Sequence, residues 1–569
     1  MRSLSLHDRI AQLFVVRGYG DYPPSDDTEY ERFIRWIRQD HVGGFIIAGH
    51  IRDGNVIPAQ PFELAAFVNH MQRVSKLPLL VASDFERGAS MRVAETARFP
   101  YMMAFGAAHD LSATRELGAA TAREARAMGV NWVFAPDADV NNNPDNPIIN
   151  TRSFGEDPQA VAQNVGAFID GAHSAAADYV LVTAKHFPGH GDTAEDSHMQ
   201  LAQLNQTKER IESLELVPFR AAIEHGVDSV MTAHMSVPAF EPAAIPATVS
   251  SHILTGLLRD ELAFKGLIVT DALEMQGISS LYTQGEAAVR AIEAGADVLL
   301  MPTDPGACIR AIEAAVKSRR LSTARINASA ARVIMAKQRL GLMRKRTVDL
   351  EALSNQIKEP RLDALADLVA EKAFTLVKDD KHLFPMPQAN GSCLIVMTDG
   401  QFSRRGETIF HELNTYPLNA AADQVKVYLT NSAMPAELLN AIAAQTAQCK
   451  QIYVAAFVTV AANRGDVALQ GGLAPFLNTL TDGPAPVALI SLGNPYLLRT
   501  FPKVAAYAAT FSSAESSELA TARAMLGEIA ITGRLPVSIP GFAKMGDGLD
   551  VSAKSAAASK STAASNMAR

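Results

Sequence analysis

One rhythm runs through residues 1–345: an amphipathic helix, a turn, then a short apolar strand. The joints echo each other. Ala222-Ile223-Glu224-His225-Gly226-Val227-Asp228 and Ala291-Ile292-Glu293-Ala294-Gly295-Ala296-Asp297 each place a glycine where a helix C-cap is expected. The apolar runs expected as strands are Ile10–Val16, Val42–Ala48, Leu79–Ser83, Val130–Ala135, Tyr179–Ala184, Ser229–Ala233, Leu267–Thr270 and Asp297–Met301. Alternating helix and strand predicts a parallel sheet, and eight strands predict a (β/α)8 TIM-like barrel.

The rhythm changes after residue 345. Residues 346–378 read as a linker and a bridging helix, with Pro360 at its start and helical apolar spacing from Arg361 to Leu376. Residues 379–545 alternate again and predict a smaller α/β sandwich, with strands at Cys393–Thr398, Val425–Leu429, Ile452–Phe457, Val487–Leu492 and Val504–Thr510. Residues 546–569 are expected as a disordered tail, since Val551 to Arg569 is mostly Ala, Ser and Lys.

Composition excludes some classes of function. A net charge of −8 with no dominant basic stripe argues against nucleic-acid binding. Cys308, Cys393 and Cys449 are far apart and odd in number, so neither a disulfide framework nor a cysteine zinc site is expected. No apolar run is long enough for a membrane span, and no leader is visible. The chain as given therefore reads as cytoplasmic; a leader already removed would make it periplasmic or secreted. Oligomeric state is not legible.

Polar residues collect at the C-terminal ends of the expected strands. Asp84 follows the third, Asp137 and Asp139 the fourth, Lys185 and His186 the fifth, His234 the sixth and Asp271 the seventh. That end of a barrel is its catalytic face. After the fifth strand comes Lys185-His186-Phe187-Pro188-Gly189-His190-Gly191-Asp192-Thr193-Ala194-Glu195-Asp196-Ser197-His198. A Gly/Pro-rich loop of this kind holds polar groups over a strand end. Asp196 and His198 read as a proton-transfer pair, because imidazole exchanges protons near neutrality and a carboxylate fixes its tautomer.

Each residue has a plainer use as well. Asp271 could cap a helix; directly after an apolar strand it reads better as a nucleophile facing the mouth. Lys185 and His186 end a strand expected to be buried, where a bare cation is costly, so contacts to substrate hydroxyls are expected. Asp84 and Arg92 can bind a ligand or pair with each other. Glu86 is read as structural and His190 as loop-stabilising. Arg152 stands open between a ligand arginine and a loop ion pair.

With these residues in view, Lys185–His198 resembles the signature loop of the β-N-acetylglucosaminidases of glycoside hydrolase family 3. Thr270-Asp271-Ala272-Leu273 resembles that group's nucleophile segment. Asp84–Arg92 and Asn150–Pro158 fall at its sugar-binding segments, and Gly527 through Val537 at the end of its C-terminal sandwich. The resemblance implies a retaining hydrolase that releases terminal β-linked N-acetylglucosamine from peptidoglycan fragments or chitin-like oligosaccharides, in bacterial cell-wall recycling. Asp271 would form the glycosyl-enzyme. His198, oriented by Asp196, would act as acid and base. Asp84, Arg92, Arg152, Lys185 and His186 would hold the sugar, with no metal and no cofactor.

One segment departs from the family pattern. Arg87 stands where a glycine is common, and Ala89-Ser90 where Arg-Val is frequent. This bears on preference beyond the first sugar. Two other activities fit part of the pattern. A β-N-acetylglucosaminide phosphorylase would use the same loop. A metal-dependent amidohydrolase barrel would need a His-x-His after the first strand, where this chain has Val16-Arg17-Gly18-Tyr19-Gly20.

Overall fold

The computed structural model of the protein describes residues 4–23, 26–52, 55–357, 359–400, 403–415 and 424–554. The first eight principal strands are β1 (Phe14–Gly18), β2 (Gly44–Ile47), β3 (Leu80–Ser83), β4 (Trp132–Val133), β5 (Leu181–Phe187), β6 (Ser229–Thr232), β7 (Leu267–Thr270) and β8 (Leu299–Leu300). They pair in parallel in the order β7-β6-β5-β4-β3-β2-β1-β8. The ends meet through Val269 and Val298, where Thr270 N–H donates to the Val298 carbonyl at 3.0 Å. The sheet is thus a closed (β/α)8 barrel. Its interior is filled rather than hollow: buried Trp132 donates from Nε1 to Thr183 Oγ1 (2.8 Å) and Ser229 Oγ (2.9 Å).

Every expected strand overlaps an observed one, with boundaries to correct; the fifth runs Leu181–Phe187 rather than Tyr179–Ala184, so Lys185 and His186 lie within it and not after it. Ile10 belongs to a helix, Leu6–Ala11, capped by Ser5, and the strand begins only at Phe14. An apolar run of that length serves equally as the buried face of a short helix, and the Ser5/Asp8 capping box decides it.

The second sheet contains β9 (Thr375–Asp379), β10 (Ser392–Thr398), β11 (Lys426–Asn431), β12 (Gln451–Val458), β13 (Val487–Gly493) and β14 (Ala506–Ala509). Its order is β9-β14-β13-β12-β10-β11, all parallel except β9. Apolar clusters cover both faces. The bridging helix is Pro360–Ala373, shorter than expected, because Leu376 already lies in antiparallel β9.

Two further expectations are overturned. Cys393 and Cys449 form a disulfide with Cα atoms 5.9 Å apart, leaving Cys308 free and buried. Strand β10 and the segment after helix Ala436–Thr446 bring together two cysteines that are 56 residues apart in sequence. Residues 546–554 are not loose tail. Leu549 N–H donates to the Leu376 carbonyl (2.7 Å), Val551 pairs with Ile531, and Lys554 N–H donates to the Gly527 carbonyl (2.7 Å). Residues 555–569 lie outside the described residues.

The two domains meet over the segment that follows β4. Ser538 N–H donates to Glu156 Oε2 (2.7 Å), Asn141 Nδ2 donates to the Tyr496 hydroxyl (2.9 Å), and Glu156 N–H donates to the Pro536 carbonyl (3.0 Å). The second domain therefore braces the loop that carries Arg152.

Candidate active site

The residues singled out at the strand ends converge on one buried network at the barrel mouth. Lys185, its side chain 2% exposed, reaches Glu86 Oε1 at 2.7 Å and Asp84 Oδ1 at 3.1 Å. Arg152 grips both oxygens of Glu86, at 3.0 and 2.8 Å, and its Nε lies 3.2 Å from Asp137 Oδ2. Of its two sequence readings, the ion pair is present. Arg92 Nη2 stands 3.4 Å from Asp84 Oδ2. Glu86, read from sequence as structural, is the hub that joins the β3 loop to Lys185 and Arg152. Arg87, the departure from the family pattern, lies with its guanidinium over the Tyr101 ring at 5.1 Å.

Charges this close reshape one another. Burial alone would raise the Glu86 carboxyl, but Arg152 and Lys185 hold it well below the carboxylate range. Burial pushes Asp137 up to about 7 despite the same cations, with Glu86 adding to the rise. Burial would discharge Lys185, yet Glu86, Asp84 and Asp137 raise it further into its charged form. Lys185 is thus a fixed cation, as a buried lysine needs to be if it is not to be expelled or neutralised.

His186 is held from two sides. Its Nδ1 lies 2.8 Å from Asp139 Oδ2, and its Nε2 lies 3.3 Å from Arg152 Nη2. Burial lowers its pKa, but the Asp139 carboxylate outweighs this and the net direction is up. Asp139 also accepts the backbone N–H of His186 (3.2 Å) and His190 (2.7 Å), so one carboxylate shapes the start of the signature loop. Burial drives His190 down to about 4; its Nδ1 faces Thr193 Oγ1 at 2.7 Å, consistent with a loop-stabilising residue. Among the described residues, only Asp137, Asp139 and His186 have the mutual spacing of metal ligands. Their polar atoms already face Arg152, Lys185 and one another.

The other half of the site is the Asp196/His198 pair. Asp196 Oδ1 lies 2.8 Å from His198 Nδ1 and also accepts the His198 backbone N–H at 2.8 Å. The Asp196 side chain is 1% exposed, whereas that of His198 is 29% exposed. Burial would raise Asp196, but hydrogen bonding to His198 carries it below the usual range. The loop docks on the segment after β7: Gly277 N–H donates to the Ser197 carbonyl at 3.1 Å. A side chain at Gly277 would meet that oxygen at 2.9 Å, so the close approach requires glycine. Gly191 does the same toward β4, where a Cβ would lie 1.9 Å from the Val140 carbonyl oxygen.

Asp271 follows β7 directly, with its Oδ1 accepting the Ala272 N–H at 2.8 Å. It caps no long helix. Burial would raise its pKa, but the fields of His186, His234 and His198 bring it below the ordinary carboxylate value. The carboxylate is therefore charged and lies within the field of both halves of the site. His234, noted in sequence only as a strand-end residue, is buried and faces the Ala272 carbonyl at 3.0 Å through Nε2. One participant was invisible in sequence: the backbone N–H of Asn463, from the second domain, donates to Asp196 Oδ2 at 3.0 Å.

Residues 5–336 match the glycosyl hydrolase family 3 N-terminal domain. The chain is 30% identical over 388 residues to a β-N-acetylglucosaminidase/β-glucosidase of Cellulomonas fimi, covering 67% of this chain and 65% of that one. It is 33% identical over 356 residues to β-hexosaminidase A of Pseudoalteromonas piscicida, covering 58% of each. The match thus spans somewhat under two thirds of these two relatives. Among solved structures, a family 3 β-N-acetylglucosaminidase from Paenibacillus sp. str. FPU-7 superposes with a TM-score of 0.82 at 33% identity, covering 94% of this chain and 99% of that one. A β-glucoside phosphorylase superposes with a TM-score of 0.80 at 25% identity, covering 94% of both. With the family's domain matched across the whole barrel, the chain belongs to glycosyl hydrolase family 3.

Proposed function

We propose that the protein is a retaining β-N-acetylhexosaminidase that releases terminal N-acetylglucosamine from chitin-like or cell-wall oligosaccharides. The observation that carries this reading is the pairing of Asp271, set directly after β7, with a carboxylate-oriented His198 whose loop docks on the segment that follows β7. Asp271 attacks the anomeric carbon and forms the glycosyl-enzyme. His198, held by Asp196, protonates the leaving oxygen and then takes a proton from the incoming water. Asp84, Arg92, Lys185, His186 and Arg152 line the side of the mouth where the ring hydroxyls would bind. The usual second carboxylate is replaced by an imidazole.

The test is covalent trapping. A slow fluorinated N-acetylglucosaminide should label Asp271, and Asp271→Ala should lose turnover while keeping the wild-type melting temperature. A label on another residue, or near-normal turnover in the variant, defeats the assignment.

A second reading has its own observation. Glu195, the one glutamate of the loop, points to the Gln203 N–H at 3.4 Å, leaving the acid/base place to an imidazole. Once it has given up its proton, that imidazole is neutral and does not repel an anion. The glycosyl-enzyme could then accept phosphate as well as water. Product analysis in rising phosphate separates the two: sugar 1-phosphate supports phosphorolysis, and its absence at high phosphate leaves hydrolysis alone.

The disulfide bears on location. We read it as favouring an oxidising compartment, periplasmic or extracellular, over the cytoplasmic expectation. Among the described residues, no helix is long and apolar enough to cross a membrane.

A further inference from the structure

A cavity opens on the arc of the mouth formed by the ends of β1, β2, β7 and β8. Its volume is about 330 Å³, within the range of a site for one small-molecule ring. It begins at the nucleophile's own loop. Glu274, three residues after Asp271, forms one wall and pairs with Arg17 at the end of β1. Pro302 and Thr303, just after β8, form another wall. The residues proposed to hold the first sugar sit on the opposite arc, on the loops after β3 and β4 and at the end of β5. A sugar bound there with its anomeric carbon at Asp271 would send its leaving group toward this cavity.

The lining has the character of a carbohydrate subsite. Tyr19 lies parallel to the His50 ring at 4.2 Å, and Tyr30 and Trp36 add half-buried aromatic surface. Flat aromatic faces suit the C–H face of a sugar ring. The charges are informative. Both cations are already engaged: Arg17 by Glu274, and Arg32 by Glu29 at 3.6 Å and by the Trp36 ring at 5.4 Å. Two acids remain beyond these pairs, Asp21, which faces His50 at 2.8 Å, and Asp27, which caps the following helix. Among the described lining residues, no cation is left free to receive a carboxylate, and the surplus charge is negative.

We propose, resting on the hexosaminidase reading above, that this cavity is the leaving-group subsite and that it selects a neutral or cationic amino sugar over an anionic one. Its preferred substrates are N-acetylglucosamine linked to a second N-acetylglucosamine or to glucosamine. A leaving sugar bearing a carboxylate, as in muramic acid, is disfavoured.

Specificity constants for a set of β-linked N-acetylglucosaminides test this. The set comprises chitobiose, N-acetylglucosaminyl-glucosamine, a disaccharide with a muramic-type carboxylate, and β-N-acetylglucosaminyl azide, whose leaving group has no ring. Neutral and cationic disaccharides should exceed the anionic one by about tenfold or more, roughly what one good contact supplies. Tyr19→Ala should lower kcat/KM for chitobiose by a similar factor while leaving the azide within about twofold. Asp21→Lys, which reverses the charge that faces His50, should raise the anionic-to-neutral ratio. Preference for the anionic disaccharide, an unmoved ratio in Asp21→Lys, or equal losses on azide and chitobiose in Tyr19→Ala would each overturn the proposal. Failure on the azide itself would instead sink the hexosaminidase reading, so the two failures are distinguishable.

Discussion

The backbone N–H of Asn463 donates to Asp196 Oδ2 at 3.0 Å, tying a loop of the second domain to the pair at the barrel mouth. Asp196 Oδ1 is already committed to His198, so the carboxylate is gripped at both oxygens. The supporting loop is itself anchored: neighbouring Arg464 pairs with Asp399 at 2.8 Å. The second domain thus steadies, through a main-chain group, the pair proposed above to carry the proton. Asn463 has a φ of 63°, so Asn463→Gly keeps both the conformation and the N–H, whereas Asn463→Pro removes the donor and cannot adopt the angle. The proline variant should lose about tenfold in kcat/KM on substrates with poor leaving groups and much less on activated aryl glycosides. The glycine variant should stay near wild type. Equal losses across leaving groups would mean that the contact only supports the fold.

The same logic applies more strongly to the pair itself. His198→Ala should slow poor leaving groups by about 10²–10⁴-fold, the usual size of general-acid help, and activated ones far less. Asp196→Ala should follow in the same direction but more mildly, since it removes the orienting group rather than the acid. A plot of log kcat/KM against leaving-group pKa should steepen in both. An unchanged slope would assign His198 to binding.

Much of the barrel was legible because its strands are buried on both faces and read as short apolar runs between glycine-marked helix ends, as at Gly226 and Gly295. The strand-end rule located Asp84, Lys185, His186 and Asp271. It gave no role to Asp137 and Asp139, although an Asp-x-Asp directly after β4 was a visible signal. Glu86 looked structural because sequence does not show that Lys185 and Arg152 converge on it. The Asn463 contact uses a backbone group, which no residue type announces. Strand β9 was absorbed into the preceding helix because Phe374 and Leu376 carry its apolar pattern onward, although the helix itself ends at Ala373. The cysteine pairing depends on which strand neighbours which, information that three scattered cysteines do not carry.

Glu518 offers a pH test away from the chemistry. It is buried, and burial pushes its carboxyl up to about 7 even though it accepts the N–H groups of Gly406 (3.0 Å) and Thr408 (3.2 Å). The ordinary value is 4.5, so between these values the unfolded chain has released a proton that the folded chain retains. Stability from this group is therefore present below pH 4.5, falls as pH rises toward 7, and is level above. Glu518→Gln keeps an acceptor for both N–H groups and does not titrate. Its melting temperature relative to wild type should rise across that window and plateau above it. A difference independent of pH would show that the carboxyl ionises normally.

The disulfide joins the argument about compartment to the argument about the site. Cys393 lies on β10 and Cys449 just before β12, the strand from which the chain runs on to Asn463. Closing a loop of this length typically contributes about 2–4 kcal/mol, mainly by restricting the unfolded chain. The double variant Cys393→Ser/Cys449→Ser should therefore unfold at lower temperature, with the loss concentrated in the second domain if the two domains unfold separately. The barrel's own ion pairs do not involve this bond, so turnover of activated substrates well below the transition should change little. Poor leaving groups should become more temperature-sensitive than activated ones, because loosening the second domain releases Asp196 before it disturbs Asp271. Parallel decay of both substrate classes on heating would separate the disulfide from the dyad and leave it a local staple alone.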